Sequence, residues 1–126
     1  MEKTDSRRMA ISRDYLNDAR REELSRSTRF KCAWEAIYFC CCEYFANKGS
    51  CIDSLEHPDA NVVEQLLREL SLSPDERNLV EALFRWSSYL QPLFPEPRSP
   101  EEACHLAELV HGQTATLLAA MKTSKK

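Results

Sequence analysis

The residue types in this sequence that could carry out chemistry are three histidines and six cysteines. His105 and His111 are six positions apart, which on a helix separates their side chains by about 240° and prevents them from sharing one metal ion. The sequence contains no His-Glu-x-x-His zinc motif, no Gly-x-Ser-x-Gly motif and no phosphate-binding loop. It therefore predicts no metal site, no cofactor and no catalytic residue of these kinds.

The cysteines favour free thiols over disulfides. Cys40, Cys41 and Cys42 are consecutive in a stretch of helical pattern. Successive side chains on a helix diverge by about 100°, so these three cannot bridge one another. No two cysteines have the Cys-x-x-Cys spacing of zinc ribbons and redox motifs. We expect buried free thiols that pack as small hydrophobic side chains, as is usual in a reducing compartment.

One arginine stands among aromatic residues. Arg85 lies between Phe84 and Trp86, with Tyr89 one helical turn further on. Such an arginine either extends its charged head to solvent or binds an acidic or phosphate group in a cleft. Tryptophan at helical spacing usually belongs to a core, although an aromatic ring beside an arginine could stack on a base. We predict a binding site at Arg85, Trp86 and Tyr89.

The composition indicates what kind of domain must position these residues. Of 126 residues, 43% are hydrophobic, 29% are charged and only two are glycine, which favours helices over hairpins and glycine-rich loops. The net charge of −3 gives no general reason to expect nucleic-acid binding. No apolar run approaches the roughly 20 residues that span a bilayer, and the N-terminus is too polar for a secretory signal. We expect one soluble, cytoplasmic domain over residues 1–126, with a disordered tail at 122–126.

Apolar periodicity predicts five helices. The strongest pattern begins near Ser27 and ends at Lys48, followed by a stop at Gly49. Ser-Pro-acidic sequences at Ser73 and Ser99 have the form of a helix cap followed by proline at the first helical position. Short connections between such helices predict an all-α fold, an antiparallel up-and-down bundle of four to five helices. The predicted ranges are 5–19, 27–48, 62–72, 74–90 and 100–121.

Several segments resemble HEPN (higher eukaryote and prokaryote nucleotide-binding) domains, in particular the small stand-alone bacterial type without a clear ribonuclease motif. The resemblance covers about residues 10–120. His57-Pro58 falls where the loop histidine of that family tends to lie. The other segments are Ser25-Arg26-Ser27-Thr28-Arg29-Phe30-Lys31-Cys32-Ala33-Trp34-Glu35-Ala36, the following apolar helix to Lys48-Gly49, Arg85-Trp86-Ser87-Ser88-Tyr89 and Arg98-Ser99-Pro100-Glu101-Glu102-Ala103.

The resemblance implies a mainly four-helix bundle that usually forms a homodimer. Active family members are metal-independent ribonucleases with an Arg-x(4–6)-His motif; others are adaptors, partners of nucleotidyltransferases or antitoxin subunits. Arg85 has no histidine at the permitted spacings, and the phenol of Tyr89 titrates too high for proton transfer at neutral pH. Arg98 and His105 match the motif literally, but chance alone predicts about 0.8 such matches in a chain of this composition. His105 could also be a partly buried structural histidine.

Two functions follow as expectations. The first is a non-catalytic binding or adaptor module, a HEPN-like homodimer that binds a protein partner such as a nucleotidyltransferase, or a nucleotide or RNA, through Arg85, Trp86 and Tyr89. The alternative is a toxin-like, metal-independent endoribonuclease that uses Arg98 and His105. An unrelated small regulator or secretion chaperone fits an acidic five-helix chain equally well.

Overall fold

The computed structural model describes residues 7–48, 60–88 and 98–124. These residues contain no strand, which confirms the all-α class and the helical bundle. Among them, no helix combines the length and the hydropathy that crossing a membrane requires. The five helices are α1 (Arg7–Ala19), α2 (Arg26–Asn47), α3 (Ala60–Leu67), α4 (Pro74–Ser88) and α5 (Pro100–Ser124).

The starts of α4 and α5 lie where their serine-proline sequences predict them. The backbone N–H of Glu76 donates to Ser73 Oγ at 3.0 Å, and the N–H of Ser73 donates back to Glu76 Oε1 at 2.8 Å. At the start of α5, the N–H of Glu102 donates to Ser99 Oγ at 3.1 Å. These side chains satisfy backbone donors that have no partner inside the helix. Because the capping residues lie within one turn of the helix start, such starts can be predicted from the sequence.

Two predicted helix ends are wrong. α3 ends at Leu67, not at residue 72, because the backbone tightens into bonds between residues three apart, such as Glu69 N to Leu66 O at 2.9 Å. Leu70 is still only 7% exposed, so burial continues after the helix has ended and prolongs the apolar pattern. α5 remains helical to Ser124, so residues 122–124 are not the predicted disordered tail. No glycine or proline interrupts them.

α2 is the central element of the core. Its side chains are buried on most sides, and Phe30 and Ile37 are fully enclosed. Hydrogen bonds between the helices give their directions. Ser12 of α1 donates to the Ala36 carbonyl of α2, and seven residues later in α1 the Ala19 carbonyl accepts from Arg29, which lies seven residues before Ala36. α1 and α2 are therefore antiparallel. Between α2 and α5, Arg29 bonds to Glu101 near the start of each helix, and Cys40 contacts His111 further along each helix. α2 and α5 therefore run in the same direction.

Two arginines cap the ends of preceding helices. Arg29 Nε donates to the Ala19 carbonyl at the end of α1, at 2.9 Å, and Arg77 Nη2 donates to the Leu67 carbonyl at the end of α3, at 2.7 Å. Each arginine lies ten residues after the carbonyl that it caps and four residues after the serine that caps its own helix. The α1–α2 and α3–α4 connections therefore use the same device to satisfy terminal carbonyl groups.

Candidate functional site

The structure separates two of the three residues of the predicted binding site, Arg85 and Trp86. Arg85 is exposed on α4, with its guanidinium 3.8 Å from the Glu81 carboxylate one turn earlier. Trp86 is 4% exposed, and its ring centroid lies 5.3 Å from that of Phe30 in the core. Tyr89 lies outside the described residues. This corrects the predicted grouping, because successive helical positions point about 100° apart and Trp86 therefore faces inward while Arg85 faces outward.

Arg98 and His105 do line one groove, of about 400 Å³, at the starts of α4 and α5. His105 is exposed, so its interpretation as a partly buried structural histidine is wrong. Arg98 has a φ of 61°, a left-handed conformation that is uncommon for residues with a side chain. Its guanidinium donates to both oxygens of Asp75, at 2.9 and 2.5 Å, and lies 3.8 Å from Glu102.

Carboxylates dominate this groove. Among the described residues, its lining includes Asp75, Glu76, Glu101 and Glu102, with Arg98 as the only lysine or arginine. The hydrogen bonds from Arg98 hold the pKa of Asp75 below its usual value, so the pair stays ionised at neutral pH. The two-pronged pairing uses the guanidinium edge that would otherwise bind a phosphate, and the surrounding negative charge opposes RNA. The ion pair between Arg98 and Asp75 therefore links the starts of α4 and α5.

A buried polar cluster joins three helices, and sequence reasoning missed it. Ser12 Oγ of α1 lies 2.9 Å from His111 Nδ1 of α5 and 3.4 Å from Cys40 Sγ of α2. The same hydroxyl donates to the Ala36 carbonyl at 2.8 Å. Since a hydroxyl has one hydrogen, this arrangement makes the His111 Nδ1–H the donor toward Ser12 Oγ. One available signal was the presence of polar residues at core-facing positions, such as Ser12 one turn after Met9.

This cluster contains the residue types of nucleophilic sites but not their environment. Ser12 and Cys40 are fully enclosed, and His111 is 8% exposed. Burial raises the pKa of the Cys40 thiol to about 11, against a smaller opposing effect of its hydrogen bond with Ser12. A thiol with that pKa is protonated at neutral pH, and no substrate can reach it without the helices separating. The cluster therefore holds α1, α2 and α5 together.

The five described cysteines are expected to react slowly in the folded protein. All five are free and buried, as predicted, and burial raises the pKa of each: Cys32, Cys40, Cys41, Cys42 and Cys104. At pH 8 a thiol with a pKa near 11 is ~0.1% ionised, against ~10% for one near 9, so reaction should accelerate as the pH rises. Titration with a disulfide reagent, with and without guanidinium, measures this. More than one rapidly reacting thiol per native chain would contradict it, because only Cys51 lies outside the described residues.

A second groove, of about 660 Å³, lies between α5 and the connection from α3 to α4. The side-chain amide of Gln113 holds this connection in place: Ser71 N donates to its Oε1 at 2.7 Å, and its Nε2 donates to the Ser71 carbonyl at 3.1 Å. Leu70, Leu109 and Leu117 make much of the lining apolar. The groove is thus a formed surface feature, with one wall fixed by hydrogen bonds.

Of the predicted site residues that lie within the described ranges, the structure brings together only Arg98 and His105. Arg85 lies on the surface and Trp86 in the core. Within the described residues, no group of three or more His, Cys, Asp or Glu side chains could hold a metal ion. Comparisons with known proteins identify no relative: no family model, no curated protein and no solved structure matches this chain.

Proposed function

We propose that this protein is a non-catalytic helical binding or adaptor module of the HEPN-like type, which acts as a homodimer. The observation that carries the proposal is the pairing of Arg98 with Asp75 in a groove rich in carboxylates. The alternative function, RNA cleavage by Arg98 and His105, needs a cationic groove and a guanidinium that can bind phosphate. The enclosure of the Ser12–Cys40–His111 cluster supports the same conclusion.

The binding residue in this proposal is Arg85, without Trp86. The Arg85 side chain is 52% exposed, and its contact with Glu81 is, at 3.8 Å, longer than a hydrogen bond. Such an exposed pair contributes little to stability, so the guanidinium can exchange Glu81 for an acidic side chain of a partner protein or for the phosphate of a nucleotide. A protein partner such as a nucleotidyltransferase fits this chemistry, and the negative net charge makes RNA the less favourable ligand.

Arg85→Ala is expected to weaken partner binding about tenfold or more while the fold survives, because one charge-assisted contact is lost. Pull-down with tagged protein, followed by titration of the recovered partner or of ATP, measures this. Arg68→Ala is the matched control, since Arg68 is 66% exposed and lies 3.7 Å from Glu64 one turn earlier. Equal binding by both variants and the wild type would remove Arg85 from the site.

An RNA-cleavage assay decides between the binding module and the endoribonuclease. Reduced wild-type protein in EDTA is expected not to cleave a quenched fluorescent RNA. Cleavage that is lost in both Arg98→Ala and His105→Ala would overturn the proposal in favour of the toxin-like endoribonuclease. Circular dichroism of each variant checks that the helices are intact, which matters for Arg98 because it joins α4 to α5.

A further inference from the structure

We propose that the outward face of α5 binds a second copy of this chain, with the two α5 helices packed antiparallel. The outward face is defined here by residues within about 100° of one another on the helix. This inference specifies the surface of the homodimer in the proposed function and rests on that part of it. The face consists of Leu109, Gly112, Thr116, Ala119 and Ala120, all exposed or half-buried.

The first observation is a gap in charge. Residues 110–121 contain no Lys, Arg, Asp or Glu, although 29% of the chain is charged and twelve residues would carry about three or four charges on average. The gap does not lie wholly in the core, because Gly112, Ala115 and Thr116 are exposed. Depletion of charged residues is the compositional feature of the centre of a protein–protein interface.

The second observation is that the charges flanking this gap are self-complementary. The first turns of α5 carry Glu101, Glu102 and Glu108. Each lies within 4 Å of an arginine of its own chain, yet their side chains remain 63%, 54% and 40% exposed. The next charged residue after the gap is Lys122, in the last turn of the helix, and the sequence continues to two further lysines. Antiparallel packing places the acidic end of one helix beside the basic end of the other, whereas parallel packing places like charges together.

The position of the groove agrees with this arrangement. Its floor is the same stretch of α5, from Leu109 to Ala120, and its wall is the connection that Gln113 holds. A groove of about 660 Å³ whose lining is mostly apolar, with Glu69 and Glu108 also present, can accept apolar side chains from the second α5. If Glu102 of one copy is level with Lys122 of the other, position 112 lies at the twofold axis.

Thr116→Glu tests the surface. In this register position 116 of one copy faces Glu108 of the other, so a glutamate at 116 would bury a second carboxylate against the first. Sedimentation equilibrium of the wild type between about 5 and 200 μM should show a monomer–dimer equilibrium, and Thr116→Glu should weaken the dimer at least about tenfold. Ala10→Glu, at an exposed alanine of α1, is the matched control and should leave dimerisation unchanged. A wild type that is monomeric at 200 μM, or a dimer that Thr116→Glu leaves intact, would overturn the proposal.

Cysteine substitutions test the antiparallel register. Under mild oxidation, Gly112→Cys should form a covalent dimer, because position 112 of each copy meets position 112 of the other. Ala119→Cys should not exceed the wild-type background, since position 119 faces position 105. Covalent dimers from both variants would indicate parallel helices and overturn the proposal. A monomeric wild type would also overturn the homodimer of the proposed function, whereas a dimer that the substitution at position 116 leaves intact would overturn only this surface. Partner binding through Arg85 is measured separately, because neither sedimentation nor cross-linking requires the partner.

Discussion

Replacing Phe30 with alanine is expected to lower the free energy of unfolding by about 3–5 kcal/mol. Phe30 is fully buried near the start of α2, and its ring lies 5.3 Å from the ring of Trp86, tilted by 58°. Alanine would remove this contact between α2 and α4 and leave a cavity that the neighbouring helices can only partly fill. Urea denaturation followed by tryptophan fluorescence measures the loss, with Trp86 as a local reporter.

Two further variants keep this prediction measurable. A loss of this size is a large part of the stability of a small domain, so Phe30→Leu, expected to cost about 1–2 kcal/mol, should remain folded. Phe39→Ala is the control for loss of an aromatic ring alone: Phe39 is half-buried and stacks on Tyr15, with centroids 5.9 Å apart. If Phe30→Ala cost no more than Phe39→Ala, α4 would not be packed on α2 as described.

Arg29→Met is expected to cost about 2–3 kcal/mol, mainly because the Ala19 carbonyl loses its donor. Arg29 is 8% exposed, and its guanidinium bonds to that carbonyl at 2.9 Å and to Glu101 Oε2 at 3.2 Å. Methionine retains the apolar stem and removes the donors, so the change isolates the loss of hydrogen bonds from the loss of packing. Thermal or urea denaturation at neutral pH measures the difference from the wild type.

Glu101→Gln separates the two bonds of Arg29. The Glu101 side chain is 63% exposed, so its ion pair with Arg29 is screened by solvent and its removal should lower the stability much less than Arg29→Met does. Arg77→Met removes the corresponding cap from the Leu67 carbonyl, where the arginine is only half-buried, and should cost less than Arg29→Met. A loss in Glu101→Gln as large as that in Arg29→Met would show that the ion pair, and not the cap, stabilises this end of the bundle.

Local interactions explain which parts of the fold were predictable. The starts of α4 and α5 depend on hydrogen bonds between residues three apart, so the capping residues Ser73 and Ser99 predict them from the sequence. The central position of α2 follows from apolar residues on most of its sides. Helix ends were less predictable, because the burial of Leu70 continues through a turn and prolongs the apolar pattern of α3.

The sequence by itself determined the helical class, the N-terminal caps of the last two helices and the buried free thiols, because each depends on composition or on residues within one turn. Only the tertiary structure decided which polar groups meet. Ser12 and His111 are 99 positions apart and Arg98 and Asp75 are 23 apart, and no periodicity relates such positions. Their contacts arise when the packing of apolar faces brings distant backbone segments together, which is also what assigns Trp86 to the core and leaves Arg85 in solvent.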